Sequence, residues 1–200
     1  MVQDLKIIVV TGGPCGGKTS ALEHLRDELA RRGWSLVLVP ECATALISAG
    51  ITPWTSTVLD FQTAVFELQL AEEAVFFSAA RRVPGNKTLV VCDRGLMDGK
   101  GYLTDGQFAD LMASHGVTEE DAYGRYDAVF HLESAAKGFQ EAYTLENNAT
   151  RFEDPDEAVR VDNRILESWV GHPYRRVIQN EERFEQKVEH LIDEVLVLLA

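Results

Sequence analysis

The chain has 200 residues, 46% of them hydrophobic and 26% charged, with a formal charge of −13. That length suits one domain with a sizeable core, and the composition is that of an ordinary globular protein. Residues 117–164 hold 12 acidic against 5 basic side chains, so the basic footprint of a nucleic-acid binder is missing and any anion site must be local.

No apolar stretch approaches the roughly 20 residues a membrane span needs. The start of the chain carries no signal-peptide pattern, since acidic Asp4 precedes the first apolar run. A cytoplasmic location is expected and a membrane partner is not. Cys15, Cys42 and Cys92 fit no zinc spacing, and their odd number argues against a disulfide scaffold. Each follows a predicted strand, which suggests small buried residues, with a redox-sensitive site as the alternative. The five histidines likewise form no metal-ligand spacing and suit core or surface roles.

In chain order, the first apolar run is Leu5–Val10, a strand. Gly12, Gly13, Pro14, Cys15, Gly16, Gly17, Lys18, Thr19 and Ser20 follow it. Then Leu22, Leu25 and Leu29 recur at helical spacing, and Arg31-Arg32-Gly33 closes that helix with cations and a glycine. Strand, glycine-rich loop and helix together fit G-x-x-x-x-G-K-[ST] in its required context. Glycines let successive main-chain N–H groups point inward, forming an anion nest at a helix N-terminus. Lys18 is expected to reach the β- and γ-phosphates of a nucleoside triphosphate, and Thr19 to offer its hydroxyl to Mg²⁺.

Trp34–Val39 suggests a second strand, since Leu36–Val39 is continuously apolar, as expected of a strand buried on both faces. Cys42–Gly50 suggests a short helix, and a long helix then runs to about Arg82 with an apolar stripe of Val58, Phe61, Val65, Leu68, Val75 and Ala79. Thr88–Cys92 is a third strand, ending in Asp93-Arg94-Gly95 and a glycine-rich stretch to Gly106. A helix over Gln107–Ser114 precedes a fourth strand, Asp127–Leu132. Residues 134–154 are polar and suggest a lid. A helix over Asp156–Val170, a fifth strand over Tyr174–Gln179 and a terminal helix from Phe184 complete the chain.

Alternating strands and helices imply a three-layer αβα P-loop NTPase fold, with a five-stranded parallel sheet and helices on both faces, as one domain over 1–200. Ligands in such sheets bind beyond the carboxyl ends of the strands. That rule gathers the loop, Glu41, Asp93, Arg94 and the 134–154 segment around one site. Asp93 sits where a magnesium-holding acid belongs, beside Thr19. Glu41 is placed to orient or deprotonate an acceptor hydroxyl, and Arg94 to grip an acceptor. Trp54 and Phe61 suit stacking on an acceptor ring, though core roles compete. Arg151 in the lid, with Arg160 and Arg164 on the next helix, could supply charge around the transferring group. Asn86-Lys87-Thr88-Leu89 lacks the acid of a guanine-selective motif, so ATP is the expected nucleotide, with GTP as the alternative.

VTGGPCGGKTS at 10–20, VPE at 39–41, VCDRGLMDGKGYL at 91–103 and ATRFEDPDEAVRVDNRILESWVGHPYRRVIQN at 149–180 resemble the NadR-like and TRPL-translocation-defect-like P-loop family nearly end to end. The resemblance implies a compact kinase-like domain related to thymidylate and deoxynucleoside kinases. NadR-type members phosphorylate ribosylnicotinamide; the animal members are nucleotide-binding trafficking factors that bind phosphoinositide. Neither the NadR-type adenylyltransferase domain nor the animal C-terminal domain lies within these residues, so no particular acceptor carries over. The resemblance implies roles for Lys18, Thr19 and Asp93, and extends to Glu41, Arg94 and Arg151. Two functions follow as expectations: a Mg²⁺-dependent kinase acting on a small acceptor hydroxyl or phosphate, and a module whose nucleotide state controls a protein or phosphoinositide partner.

Overall fold

Five short apolar runs set the frame. The computed structural model describes residues 4–85, 87–138 and 155–200. The runs become β1 (Asp4–Thr11), β2 (Ser35–Val39), β3 (Lys87–Asp93), β4 (Ala128–Leu132) and β5 (Arg175–Ile178). All pair in parallel, in the order β2-β3-β1-β4-β5. β1 is therefore central, and Ile8, Val9 and Val10 are fully buried. Neighbouring residues of a strand face opposite ways, and here they feed two separate cores. Ile8 and Val10 meet Leu22, Leu25, Leu29, Leu191 and Val195 on one face. Val9 meets Phe66, Ile165 and Trp169 on the other.

The helices supply those partners. α1 (Lys18–Arg31) and α7 (Phe184–Leu199) cover the first face. The second is covered by α3 (Val58–Ala80), a 3-10 helix (Leu96–Gly101), α4 (Asp105–Ser114), α5 (Glu119–Gly124) and α6 (Pro155–Ser168). α2 (Cys42–Ser48) connects β2 to α3. Each buried leucine of α1 contributes about 1.5–3 kcal/mol relative to leaving it in water.

Three expectations need correction. α3 is long, as its sequence implies, but its buried side is Phe61, Gln62, Phe66, Gln69, Glu73, Phe77 and Ala80. Val58 and Val75 are 48% and 66% exposed. The inward face carries polar groups because they have partners there: Gln69 Nε2 donates to Arg94 O at 3.0 Å, and Tyr126 and Arg125 donate to Glu73 at 2.7 Å each. An apolar count cannot find such a face. Secondly, the glycine-rich stretch, for which the sequence suggests no element, holds a 3-10 helix over Leu96–Gly101, whose Leu96 and Met97 are core. Thirdly, α5 was not expected; it has a capping box between Thr118 and Asp121 but only one buried side chain, Ala122. Of the predicted lid, Ser134–Gly138 is seen as a turn, while 139–154, with Arg151, lies outside the described residues.

Candidate functional site

β1 delivers the chain to the loop at Thr11, and α1 takes it up at Lys18. Between them the backbone turns through conformations open mainly to glycine. Gly12 has φ +139°, and a Cβ there would lie 2.1 Å from the Leu132 carbonyl oxygen. Gly17 has φ +79°, and its Cβ would lie 2.3 Å from the Phe184 ring. The loop is thus pressed between the end of β4 and the start of α7. Thr19 and Ser20 are exposed in the first turn of α1, where unpaired N–H groups favour anions. Lys18 Nζ donates to Gly12 O at 3.1 Å and Gly13 O at 3.2 Å. Burial lowers its ammonium to about 8, with Arg94 adding repulsion and Glu41, Asp93 and Asp98 opposing the shift.

The strand order decides what faces Lys18. β3 lies directly beside β1, with Asp93 in register with Val10. Asp93 Oδ1 is enclosed and has no hydrogen-bond partner. Burial pushes the carboxyl up to about 6, against the pull of Lys18. An orphaned carboxylate oxygen in a cavity that Thr19 also lines suits a hard cation. Among the described residues no group of three or more His, Cys, Asp or Glu could hold a metal alone. Mg²⁺ takes one or two protein oxygens and completes its shell with water and phosphate. Thr19 and Asp93 are the residues that would hold it.

Arg94, at φ 79°, turns back over the loop. Its Nε donates to Glu41 Oε1 at 2.5 Å, its Nη1 donates to Gly12 O at 2.9 Å, and Nη1 stands 3.6 Å from Asp98 Oδ2. The sequence suggested a guanidinium reaching for an acceptor; the structure engages it inside the protein. Glu41 caps α2 and also accepts from Thr44 Oγ1 at 2.6 Å. Burial opposes its charge, but Arg94, Lys18 and these hydrogen bonds outweigh it and hold the carboxyl at about 2. Glu41 is therefore ionised at any working pH.

Glu41 and Asp93 stand in the wall of a cavity of about 550 Å³. Lys18 and Thr19 line it at the phosphate end; Ile47, Trp54, Phe61, Gln62 and Tyr102 line the rest. The structure thus brings together the loop, Glu41, Asp93, Arg94, Trp54 and Phe61. It does not bring in Arg160, which pairs with Glu157, or Arg164, which donates to Lys100 O at 3.0 Å and braces the 3-10 helix. Cys42 and Cys92 are buried, and burial pushes both thiols up, which disfavours thiolate chemistry.

Two acids escaped the sequence reading. Asp98 is 3% exposed and accepts from Thr11 Oγ1 at 2.5 Å and Trp169 Nε1 at 2.6 Å. Asp162, fully buried on α6, accepts from the Gly13 N–H at 2.6 Å and lies 3.0 Å from His131 Nε2. An ionised carboxylate only accepts, so that ring nitrogen carries the proton. Lys137 Nζ stands 2.6 Å from Asp162 Oδ2, a contact ion pair whose approach is not that of a hydrogen bond. Burial works against the Asp162 charge, but His131, Lys137 and Gly13 hold its carboxyl well below the usual range. One sequence signal existed for Asp98, an acid four residues after Arg94; Asp162 gave none.

Sheet, loop and flanking helices define the class: an α/β three-layer P-loop domain. A family model described as an AAA domain matches residues 7–187, and the chain belongs to that family. AAA-type P-loop domains typically bind nucleotide with Mg²⁺. No curated protein matches the chain. Among the described residues no helix is long and apolar enough to cross a membrane.

Proposed function

We propose that the protein is a Mg²⁺-dependent small-molecule kinase. It moves the γ-phosphoryl group of ATP to a hydroxyl on a ring-bearing acceptor that carries no phosphate of its own. One observation carries this reading: the 550 Å³ cavity that runs from Lys18 past Glu41 and Asp93 to Trp54 and Phe61. A nucleotide hydrolase has no use for the extension of that cavity beyond the phosphate loop to Trp54 and Phe61. The likeness to NadR-type proteins points the same way. In this reading residues 1–200 act as one nucleotide-binding unit with a lid at about 134–154.

The charges of the cavity support the acceptor class. Among the described residues lining it, the cations are Lys18 and Arg94, at the phosphate end. Arg94 is already held by Glu41 and Gly12. Acids are Glu41, Asp93, Asp98 and Glu157. Among the described residues, a second phosphate ester would meet more acids than cations, and an alcohol is indifferent to that field. Glu41, ionised and fixed by Arg94, accepts a hydrogen bond from that alcohol and aims its oxygen. Phosphoryl transfer passes through a loose transition state, so aim and electrostatics matter more than a strong base. Lys18 leaves the Gly12 and Gly13 carbonyls for the β- and γ-phosphate oxygens. Thr19 and Asp93 would hold Mg²⁺, whose positive charge would offset the negative charge developing on the phosphate oxygens.

The test is ADP release across nucleosides, nucleotides and sugar-like alcohols. Stimulation by a phosphate-free ring alcohol is expected. No acceptor raising turnover above slow hydrolysis would sink the proposal, and preference for a monophosphate would sink the acceptor class. A second reading, a module whose nucleotide state sets affinity for a protein or phosphoinositide partner, is favoured by four exposed hydrophobics within nine residues: Ile51, Trp54, Val58 and Leu59. It requires binding to phosphoinositide vesicles, or to a protein partner, that differs between ADP and ATP; equal binding removes it.

A further inference from the structure

Three consecutive carbonyls of the phosphate loop are held from behind. Ser134 Oγ donates to Pro14 O at 2.5 Å. The Ala135 N–H donates to Cys15 O at 3.3 Å. Lys187 Nζ donates to Gly16 O at 3.0 Å. Two of the donors follow β4 and the third stands on α7, and none of the three lines the cavity. In a trans peptide the C=O of one residue and the N–H of the next point in opposite directions. Fixing the carbonyls of residues 14, 15 and 16 therefore fixes the N–H groups of Cys15, Gly16 and Gly17 toward the other side, where the phosphates would lie.

We infer that Ser134 and Lys187 are positioning residues that preset the phosphate cradle by clamping the loop's carbonyls, so that its amides need no reorganisation when a polyphosphate arrives. This deepens the nucleotide-binding reading and rests on it.

The clamp is itself braced. Lys187 also donates to Glu133 O at 2.6 Å and Asn180 Oδ1 at 3.0 Å. Asn180 Nδ2 donates to Ser134 O at 2.9 Å and Lys137 O at 3.2 Å. Ser134 is fully buried and Lys187 is 4% exposed. A buried ammonium whose direct acceptors are all uncharged oxygens is a costly way to satisfy three acceptors. It makes sense behind an anion site, where its charge adds to the field that the loop amides present. A core lysine serving only stability would have no reason to touch the loop. Preorganised donors are also the kind that contribute most to binding a highly charged group, because they are already oriented.

The experiment measures affinity for Mg-ADP and for Mg-tripolyphosphate, with melting of the ligand-free protein as the control for folding. Ser134→Ala is expected to weaken both ligands about three- to tenfold, and Lys187→Met about ten- to a hundredfold. Tripolyphosphate has no base or ribose, so a damaged cradle must weaken it by the same factor as ADP. Folded variants with wild-type affinity overturn the inference. So does a loss for ADP that tripolyphosphate does not share. If Lys187→Met fails to fold, Ser134→Ala decides alone. If the wild type binds neither ligand, nucleotide binding itself is wrong; if it binds both and only Lys18→Ala abolishes binding, the clamp alone is wrong.

Discussion

Replacing Asp93 by asparagine should make the ligand-free protein more stable. The enclosed carboxylate has an oxygen without a partner, and burial lifts its titration from an ordinary 3.8 to about 6. An acid whose folded value is raised binds more protons in the native state than in the unfolded one between those two values. Stability is therefore lost as pH rises through that window, and the loss is complete above it. The window spans a little over two pH units, each worth about 1.4 kcal/mol, which sets a ceiling of about 3 kcal/mol. Lys18 would lose a neighbouring charge that supports its own ionisation. That repulsion from Arg94, less opposed, offsets part of the gain, so about 1–2 kcal/mol is expected at pH 7. For a chain of this size it corresponds to a melting rise of about 2–8 °C. The assay is thermal and denaturant unfolding without Mg²⁺ at pH 7 and pH 4. Asp93→Asn should melt higher at pH 7 and close to wild type at pH 4. Saturating Mg-ADP should reverse the order, because the wild type gains more ligand stabilisation. A variant that is less stable at pH 7 without ligand, or a gap that ignores pH, would refute the reasoning about this carboxylate.

Other substitutions separate the parts of the site. Asp162→Asn should lower stability by about 3 kcal/mol at pH 7, since it breaks a buried charge pair. Its folded carboxyl is depressed, so the contribution is present above the ordinary value of 3.8 and fades as pH falls below it; urea titrations should show the gap between wild type and variant narrowing below pH 4. Glu41→Gln should leave the Mg-ATP dissociation constant within a few-fold while cutting acceptor-stimulated turnover by about a hundredfold or more. Equal losses in both would assign Glu41 to nucleotide binding instead. Gly12→Ala should abolish Mg-ATP binding by calorimetry, since its Cβ would overlap a main-chain oxygen at 2.1 Å and its φ is +139°; wild-type heats would contradict the loop geometry.

The strands and the phosphate loop were legible because their physics is local. Val90–Cys92 and Ala128–Phe130 are continuous apolar runs, and in the interior of the parallel sheet both are fully buried. Gly12, Gly17, Lys18 and Thr19 are fixed by spacing along the chain. What stayed hidden depends on partners far away in sequence. The inward face of α3 carries Gln62, Gln69 and Glu73, and only the arrival of Arg94, Arg125 and Tyr126 makes that face burial-competent. Asp162 reaches Gly13 across 149 positions, so nothing near either residue announces the contact. Arg164 has the spacing to face the phosphates with Arg160, yet the free carbonyls of Lys100 and Leu103 claim it. Helical spacing says which side chains share a face, not which way the face is turned.

Arg94 holds Glu41 with one nitrogen and the Gly12 carbonyl with another. One rigid, planar group thereby joins the floor of the acceptor compartment to the first residue of the phosphate loop. A hydroxyl that competes for Glu41 alters the grip on Gly12, and a polyphosphate that draws Lys18 off the Gly12 carbonyl, which Lys18 shares with Arg94, alters the grip on Glu41. The two ligands will consequently sense each other through the protein as well as at the reacting atoms, and linkage makes the effect mutual: the factor by which acceptor changes nucleotide affinity equals the factor in the other direction. Titrating a non-hydrolysable nucleotide with and without acceptor reads that factor directly. A ratio of one, unchanged in Arg94→Lys, would mean that the guanidinium bridge transmits nothing.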